Sequence, residues 1–254
     1  MVSLNVSYPL RLAYCNTLLE SLLSHEPQTE EKKLKKENPY NRQRFFFQKA
    51  YDAGKTGWPK VGASKVVDIA DQLGFLKKGM NFLEIGCGQG RNLLPPLLSG
   101  CHTVGLDSVL SPLIGLRRDP VFSGVSMVNG DLFSLPFRSG SFDVVLDFGV
   151  LHHMRMKQRQ KYPEWIGSIL KPSGVFLLGA FSELFQHYPG EKRKRNWIYH
   201  RDHYDVFFDQ YDFSRVMGPN WKLLHQSEET AGGDLYHYRL GIFSRLERLS
   251  NQEF

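Results

Sequence analysis

The sequence predicts an α/β fold, a doubly wound sheet of mainly parallel strands that ends in an antiparallel hairpin. Three observations carry this. From Phe45 onward, short and almost wholly apolar runs alternate with helical segments, the pattern of a parallel sheet covered on both faces. The first of these runs leads straight into a glycine turn. After the fifth, the tail offers two strand-like runs with no helix between them, so they have to pair antiparallel.

Taken in order, Val61 to Leu76 reads as a helix with Val66, Ile69, Ala70 and Leu73 on one face. Asn81 to Ile85 is a short buried strand. Asn92 to Ser99 opens a helix whose two prolines, Pro95 and Pro96, are confined near its first turn. Thr103 to Leu106 is the second strand and Ser111 to Arg118 a helix. Ser126 to Val128 and Phe142 to Asp147 are the third and fourth strands. Gln158 to Leu170 is a helix stopped by Lys171-Pro172-Ser173-Gly174, and Val175 to Ala180 is the fifth strand. Trp221 to Gln226 and Leu235 to Phe243 form the hairpin through Gly232-Gly233.

The first 44 residues differ from the rest. Leu12, Leu18, Leu19, Leu22 and Leu23 have helical spacing, and the stretch from Glu26 to Arg44 is nearly all polar. Residues 1–44 are therefore expected to be a helical extension and linker, and 45–254 one domain. A chain of 254 residues that is 41% hydrophobic can bury a core of that size, which excludes wholesale disorder. The net charge of +6 admits acidic partners without demanding nucleic acid. Cys15, Cys87 and Cys101 form no CxxC pair, so neither a disulfide framework nor a structural zinc knot is expected. Met1 to Leu10 lacks the pattern of a signal peptide, and the longest uncharged stretch, Asn92 to Leu106, contains two prolines. A cytoplasmic protein without a membrane span is the expectation.

The chemistry concentrates in Phe82-Leu83-Glu84-Ile85-Gly86-Cys87-Gly88-Gln89-Gly90-Arg91-Asn92, where a strand runs into a glycine turn and then a helix. Glycines let the backbone turn sharply and approach a ligand where a Cβ would intrude. A dinucleotide fingerprint would place its third glycine at position 91, which is Arg91. The E-x-G-x-G-x-G form instead resembles the first motif of the class I, Rossmann-like methyltransferases that use S-adenosylmethionine (SAM). Four later stations match that family in order: Val104-Gly105-Leu106-Asp107-Ser108, Asn129-Gly130-Asp131-Leu132, Ser141-Phe142-Asp143-Val144-Val145-Leu146-Asp147, and Leu170-Lys171-Pro172-Ser173-Gly174-Val175.

The resemblance implies SAM as cofactor. A carboxylate at the end of the second strand, Asp107, can accept hydrogen bonds from both ribose hydroxyls, with Ser108 beside it. The family places an acid like Asp131, followed by Leu132, at the adenine, and one like Glu84 near the methionine amino group. Gly86, Cys87, Gly88, Gly90 and Arg91 would form the turn around the cofactor, Cys87 as a small filler. Asp147 and Phe148 would close the site at the exit of the fourth strand. Upstream, Tyr51-Asp52-Ala53-Gly54-Lys55-Thr56-Gly57-Trp58 resembles the lead-in of small-molecule methyltransferases of the thiopurine, thiol and tellurite groups, where an aromatic segment covers the methionine end.

Asp147-Phe148-Gly149-Val150-Leu151-His152-His153-Met154 resembles the corresponding exit in enzymes acting on small metabolites; it lacks the proline pair of amino-group methyltransferases acting on adenine and cytosine. His152 and His153 are candidate catalytic residues there, as a base or in positioning the acceptor. The aromatic-rich segment Phe181 to Tyr211 is the expected substrate region. Trp58, Tyr199 and His203 are candidate acceptor contacts. His200 and His203, three apart, make an unpersuasive metal pair, so an exposed polar loop and no metal are expected. The leading reading is methyl transfer to a small molecule. An RNA or protein acceptor held by the basic run in residues 191–195, and a non-catalytic SAM-binding scaffold, are the alternatives.

Overall fold

In the computed structural model the described residues are 39–56, 62–186, 188, 190–232 and 235–246. The chain divides into two units between Gln43 and Arg44, and the unit 44–254 is the subject below. The leucine-rich helix expected before residue 39 lies outside the described residues.

The strands are β1 (Asn81–Ile85), β2 (His102–Asp107), β3 (Ser126–Asn129), β4 (Phe142–Phe148), β5 (Leu170–Phe181), β6 (Trp197–His200), β7 (His203–Val206), β8 (Trp221–Ala231) and β9 (Tyr236–Arg245). Seven of them make one sheet in the order β3-β2-β1-β4-β5-β9-β8, while β6 and β7 pair with each other. β1 to β5 run parallel and β9 slots antiparallel between β5 and β8. The chain winds outward from β1 to β3 and then returns to the other side of β1 with β4. That reversal opens a crevice at the carboxyl ends of β1 and β4, the place where open α/β sheets bind ligands.

The helices are α1 (Pro39–Asp52), α2 (Lys65–Gln72), α3 (Leu94–Leu98), α4 (Leu110–Arg118), α5 (Met156–Arg159), α6 (Tyr162–Ile169) and α7 (Asp212–Met217). Among the described residues, no helix is long and apolar enough to cross a membrane. The helix expected over 61–76 is shorter, because the chain turns at Gly74 with φ of +75°. The helix expected over 158–170 is two. Pro163 lies in the first turn of α6, where its missing N–H costs nothing, so the proline starts a helix instead of continuing one.

Alternation along the strands sends side chains to two cores. Phe82, Val144, Leu146 and Leu177 pack with Val66, Val67 and Ala70 of α2 on one face of the sheet. Leu83, Ile85, Val145 and Phe176 pack with Tyr162 and Ile166 of α6 and Phe213 of α7 on the other. A buried polar bond ties the second core to the end of β4: the Tyr162 hydroxyl donates to Asp147 Oδ2 at 2.6 Å. Tyr162→Phe strands that oxygen and is expected to cost about 1–3 kcal/mol. The thermal midpoint should drop by roughly 2–10 °C; an unchanged midpoint would remove this bond from the account of the β4 exit.

The hairpin β6–β7 had no counterpart among the expected strands. Its two-residue turn, Arg201-Asp202, has φ of +46° and +62°, a turn that sequences usually mark with Asn or Gly. The expected exposed loop at 200–203 is thus a tight ribbon with His203 buried.

Candidate functional site

The glycine turn after β1 adopts the geometry its sequence requires. Gly86, Gly88 and Gly90 have φ of +70°, +48° and +79°. The N–H groups of Gly86 and Cys87 both donate to the Leu106 carbonyl, at 2.7 and 3.0 Å, which pins the turn to the end of β2. A Cβ on Gly88 would stand 2.6 Å from the Tyr51 hydroxyl of α1. Tyr51 thus lies over the turn, and burial together with Asp107 raises its phenol above the usual range. Cys87 is buried in the core as a small filler, and burial raises its thiol.

Asp107 ends β2 facing the same turn. Its Oδ2 accepts the Gly88 N–H and its Oδ1 the Val109 N–H, both at 2.8 Å. Burial pushes the carboxyl upward, and these bonds oppose it. Each oxygen has a second lone pair, so ribose hydroxyls can be added without breaking the turn. Ser108 is exposed beside it. Asp131, also exposed, accepts the Phe133 N–H at 2.9 Å and caps a short 3-10 turn whose first residue, Leu132, is buried.

Glu84 is the unusual member. It lies inside the domain, with Oε1 accepting from Asn92 Nδ2 at 2.8 Å and Oε2 buried without a hydrogen bond. Burial drives its pKa up to about 8, against the Asn92 bond. Asn92 also accepts the Ser64 N–H at 2.7 Å, so it joins the lead-in to α2 to this acid. An orphaned buried carboxylate oxygen is costly unless a cationic or donor group meets it. The methionine ammonium of SAM is such a group, so the buried acid suits the cofactor.

Arg91 and Asp147, both expected at the cofactor, are committed to the protein. Arg91 donates to the Gly62 carbonyl at 2.6 Å, pairs with Glu229 of β8 at 2.6 Å, and lies over the Phe148 ring at 5.1 Å. Phe148 in turn packs against Tyr238 with ring centroids 4.7 Å apart. Asp147 accepts from Tyr162 and from the Val150 N–H at 2.8 Å, and burial raises it to about 6. Both side chains thus spend polar atoms on partners within the protein. Trp58 lies outside the described residues.

The two candidate catalytic histidines have different environments. His152 is buried and stacked on Phe181 at 3.7 Å, and its Nδ1 accepts the Phe181 N–H at 3.3 Å. Burial lowers its pKa well below the usual value, so the ring is neutral with its proton on Nε2. That leaves no lone pair for a substrate proton. His153 is oriented the opposite way: Nδ1 donates to the Tyr204 carbonyl at 3.1 Å and lies 2.8 Å from Asp205 Oδ1. Nε2 is the ring nitrogen left to face an acceptor.

Of the acceptor candidates, His203 is brought beside His153, with ring centroids 5.7 Å apart, and Phe46 stacks on it at 4.3 Å. Tyr199 is not. It pairs with Tyr204 on the opposite face of the β6–β7 ribbon and is exposed. The basic run divides as well. Arg193 turns inward, against the Phe207 ring at 3.6 Å and onto Glu191, while Lys192, Lys194 and Arg195 are exposed.

Sequence reasoning missed Tyr51, Asn92, Tyr162 and Asp205. Asn92 and Tyr51 stand inside motifs already singled out, but their partners are 8 residues away for Asn92–Glu84 and across the fold for the rest. Asp205 is fully buried. Burial alone would raise it, but the surrounding His153, His200 and His203 outweigh that and hold the carboxyl well below the usual range.

A doubly wound sheet with this order, an antiparallel β9, and a glycine turn facing an acid at the end of β2 is the Rossmann-like architecture of the class I methyltransferases. Comparison with known proteins agrees. Residues 83–178 match the family described as "Methyltransferase domain". A Homo sapiens protein named "Probable tRNA methyltransferase 9B" is 31% identical over 128 residues, 50% of this chain and 25% of that protein. The Arabidopsis thaliana "tRNA (carboxymethyluridine(34)-5-O)-methyltransferase" is 28% identical over 138 residues, covering 54% and 33%. The chain thus spans a third or less of either relative's length. Among solved structures, the Burkholderia thailandensis 1,6-didemethyltoxoflavin-N1-methyltransferase with its substrate and S-adenosylhomocysteine superposes with a TM-score of 0.68 at 19% identity, covering 83% of this chain and 92% of that one. A TehB-like enzyme from Corynebacterium glutamicum gives 0.53 at 17% identity, covering 82% and 100%. These two likenesses establish the fold.

Proposed function

We propose that residues 44–254 bind SAM in the crevice and transfer its methyl group to a small, planar acceptor. SAM supplies a methyl already activated on a sulfonium. Glu84 meets the methionine ammonium through its orphaned Oε2, and this buried oxygen is the single observation that most favours the cofactor. Asp107, with Ser108, receives the ribose hydroxyls. Asp131 and Leu132 border the adenine, and the backbone of Gly86, Cys87, Gly88 and Gly90 lines the cradle. Arg91, Asp147 and Phe148 hold its walls. His153 takes a proton from the acceptor at Nε2 when the nucleophile arrives protonated.

Support for a small acceptor comes from the rings around His153. Phe47 lies 5.0 Å and Phe181 6.2 Å from it, and His203 and Phe46 extend the same cluster. Aromatic walls suit a flat ligand, and the toxoflavin-precursor enzyme of the same fold has such a ligand bound. A second reading, a tRNA acceptor, is favoured by the names of the curated relatives and by exposed Lys192, Lys194 and Arg195. Labelled-methyl transfer onto a metabolite extract, total tRNA and total protein separates them. Label in the metabolite fraction is expected. Label confined to tRNA or protein overturns the small acceptor, and SAM binding with no label anywhere leaves a scaffold.

Asp107→Ala removes a buried, charged acceptor of two ribose hydrogen bonds. It should weaken SAM binding by about 1.5–3 kcal/mol, or roughly 10- to 150-fold. Calorimetry on the folded variant checks this, and unaltered affinity would end the ribose assignment.

A further inference from the structure

His200 and His203 are directly paired across the β6–β7 ribbon, and Asp205 lies two residues beyond His203, so all three side chains share one face. His200 Nε2 is 2.8 Å and His203 Nε2 is 3.4 Å from Asp205 Oδ2, and the three donor atoms lie within 4.8 Å of one another. Two imidazole nitrogens and a carboxylate oxygen bound tetrahedrally at about 2.0–2.2 Å stand about 3.3 Å apart. The observed spacings bracket that value.

The proton positions point the same way. His203 Nδ1 is 3.2 Å from the Arg201 carbonyl, which only accepts, so Nδ1 carries the proton. Nε2 is then the ring atom turned toward Asp205. This backbone-carbonyl anchor is the usual outer support of a metal-binding histidine. Asp205 is fully buried, and its Oδ1 makes no hydrogen bond although His153 Nδ1 is 2.8 Å away, because that N–H serves the Tyr204 carbonyl. Phe46 stacked on His203 at 4.3 Å and Tyr188 tilted against His200 at 4.6 Å hold both rings in place.

We propose that His200, His203 and Asp205 form a binding site for one divalent transition-metal ion beside His153, with Zn2+ as the ion this donor set fits. Two imidazoles and one carboxylate leave a coordination position open, as metal sites that engage a further ligand do. The site stands on its own donors and does not depend on the methyl-transfer reading.

The test uses the full chain without an affinity tag, treated with chelator and titrated with Zn2+ by calorimetry and with Co2+ by visible absorption. Saturable binding of one equivalent is expected, with the intense d–d absorption of low-coordinate Co2+. His203→Ala and Asp205→Asn should each weaken binding by ~100-fold or more, whereas His102→Ala, at an exposed position on β2, should not change it. Circular dichroism checks that each variant is folded, and the less buried His200→Gln serves where His203→Ala is not. Absence of saturable Zn2+ binding in the parent chain, which would leave the cluster a protonated histidine–carboxylate network, overturns the site. So does undiminished binding in the folded ligand variants.

Discussion

Replacing His153 by alanine lowers the rate of methyl transfer by about 10²- to 10⁴-fold, the range that a positioned proton acceptor contributes, and leaves SAM affinity unchanged. The reason lies in how the ring is held. Nδ1 donates to the Tyr204 carbonyl at 3.1 Å with the Asp205 carboxylate alongside, so Nε2 is the ring nitrogen left to face an acceptor. The neighbouring His152 spends its lone pair on the Phe181 N–H and belongs to the core. The measurement is a single-turnover rate on the acceptor recovered from the labelling screen, with SAM binding measured in parallel. A rate equal to that of the parent chain would strike His153 from the chemistry. A loss of SAM affinity alone would move it to the cofactor site.

SAM affinity rises by about tenfold per pH unit between about pH 6 and pH 7.5, because the buried Glu84 must give up its proton to meet the ammonium. With its pKa raised to about 8 by burial, Glu84 is mostly protonated in the ligand-free protein over that window. Below about pH 7.5 the methionine ammonium is itself mainly charged, so its own titration adds little. Calorimetry near neutral pH in buffers of different ionisation enthalpy should therefore register close to one proton released per SAM bound. Glu84→Gln flattens the slope and removes the release. A slope that survives in that variant would assign the proton elsewhere, with Asp147, raised to about 6, as the next group to test.

The same shifts set the stability of the ligand-free domain. Glu84 and Asp147 bind protons more tightly folded than unfolded, the reverse of the usual salt-bridged carboxylate. Their contribution to stability therefore falls as pH rises from about 4 to about 8, by at most about 1.4 kcal/mol per unit per group, while the buried His152, with its pKa lowered, contributes in the opposite direction below about pH 6.5. Bound SAM should reduce the Glu84 share of that loss, because the ammonium favours the ionised form.

The parts of this protein that were legible in advance share a physical cause. β1 to β5 and the β8–β9 hairpin follow from local hydrophobic patterning, since a strand buried on both faces has to be apolar along its length. The positive φ angles at Gly86, Gly88 and Gly90 follow from residue type, because only a residue without a Cβ adopts them at little cost. The position of Asp107 at the end of β2, facing the glycine turn, was legible because it depends on where one strand ends. Tyr162 was not, because its meaning comes from a partner 15 residues back that only the packing of α6 on β4 supplies.

The amino-acid order alone announced the five parallel strands, the closing hairpin and the glycine turn, because each depends on patterning among near neighbours or on the shape of a single residue. Tertiary structure decided the rest. It tied Arg91 to Glu229 and Asp147 to Tyr162, gave His152 and His153 different hydrogen-bond partners, and gathered His153, His200 and His203 around Asp205 through a turn with no glycine to announce it. Hydrogen-bond partners and proton positions are fixed by atoms that are distant along the chain, and those atoms meet only when the domain has folded.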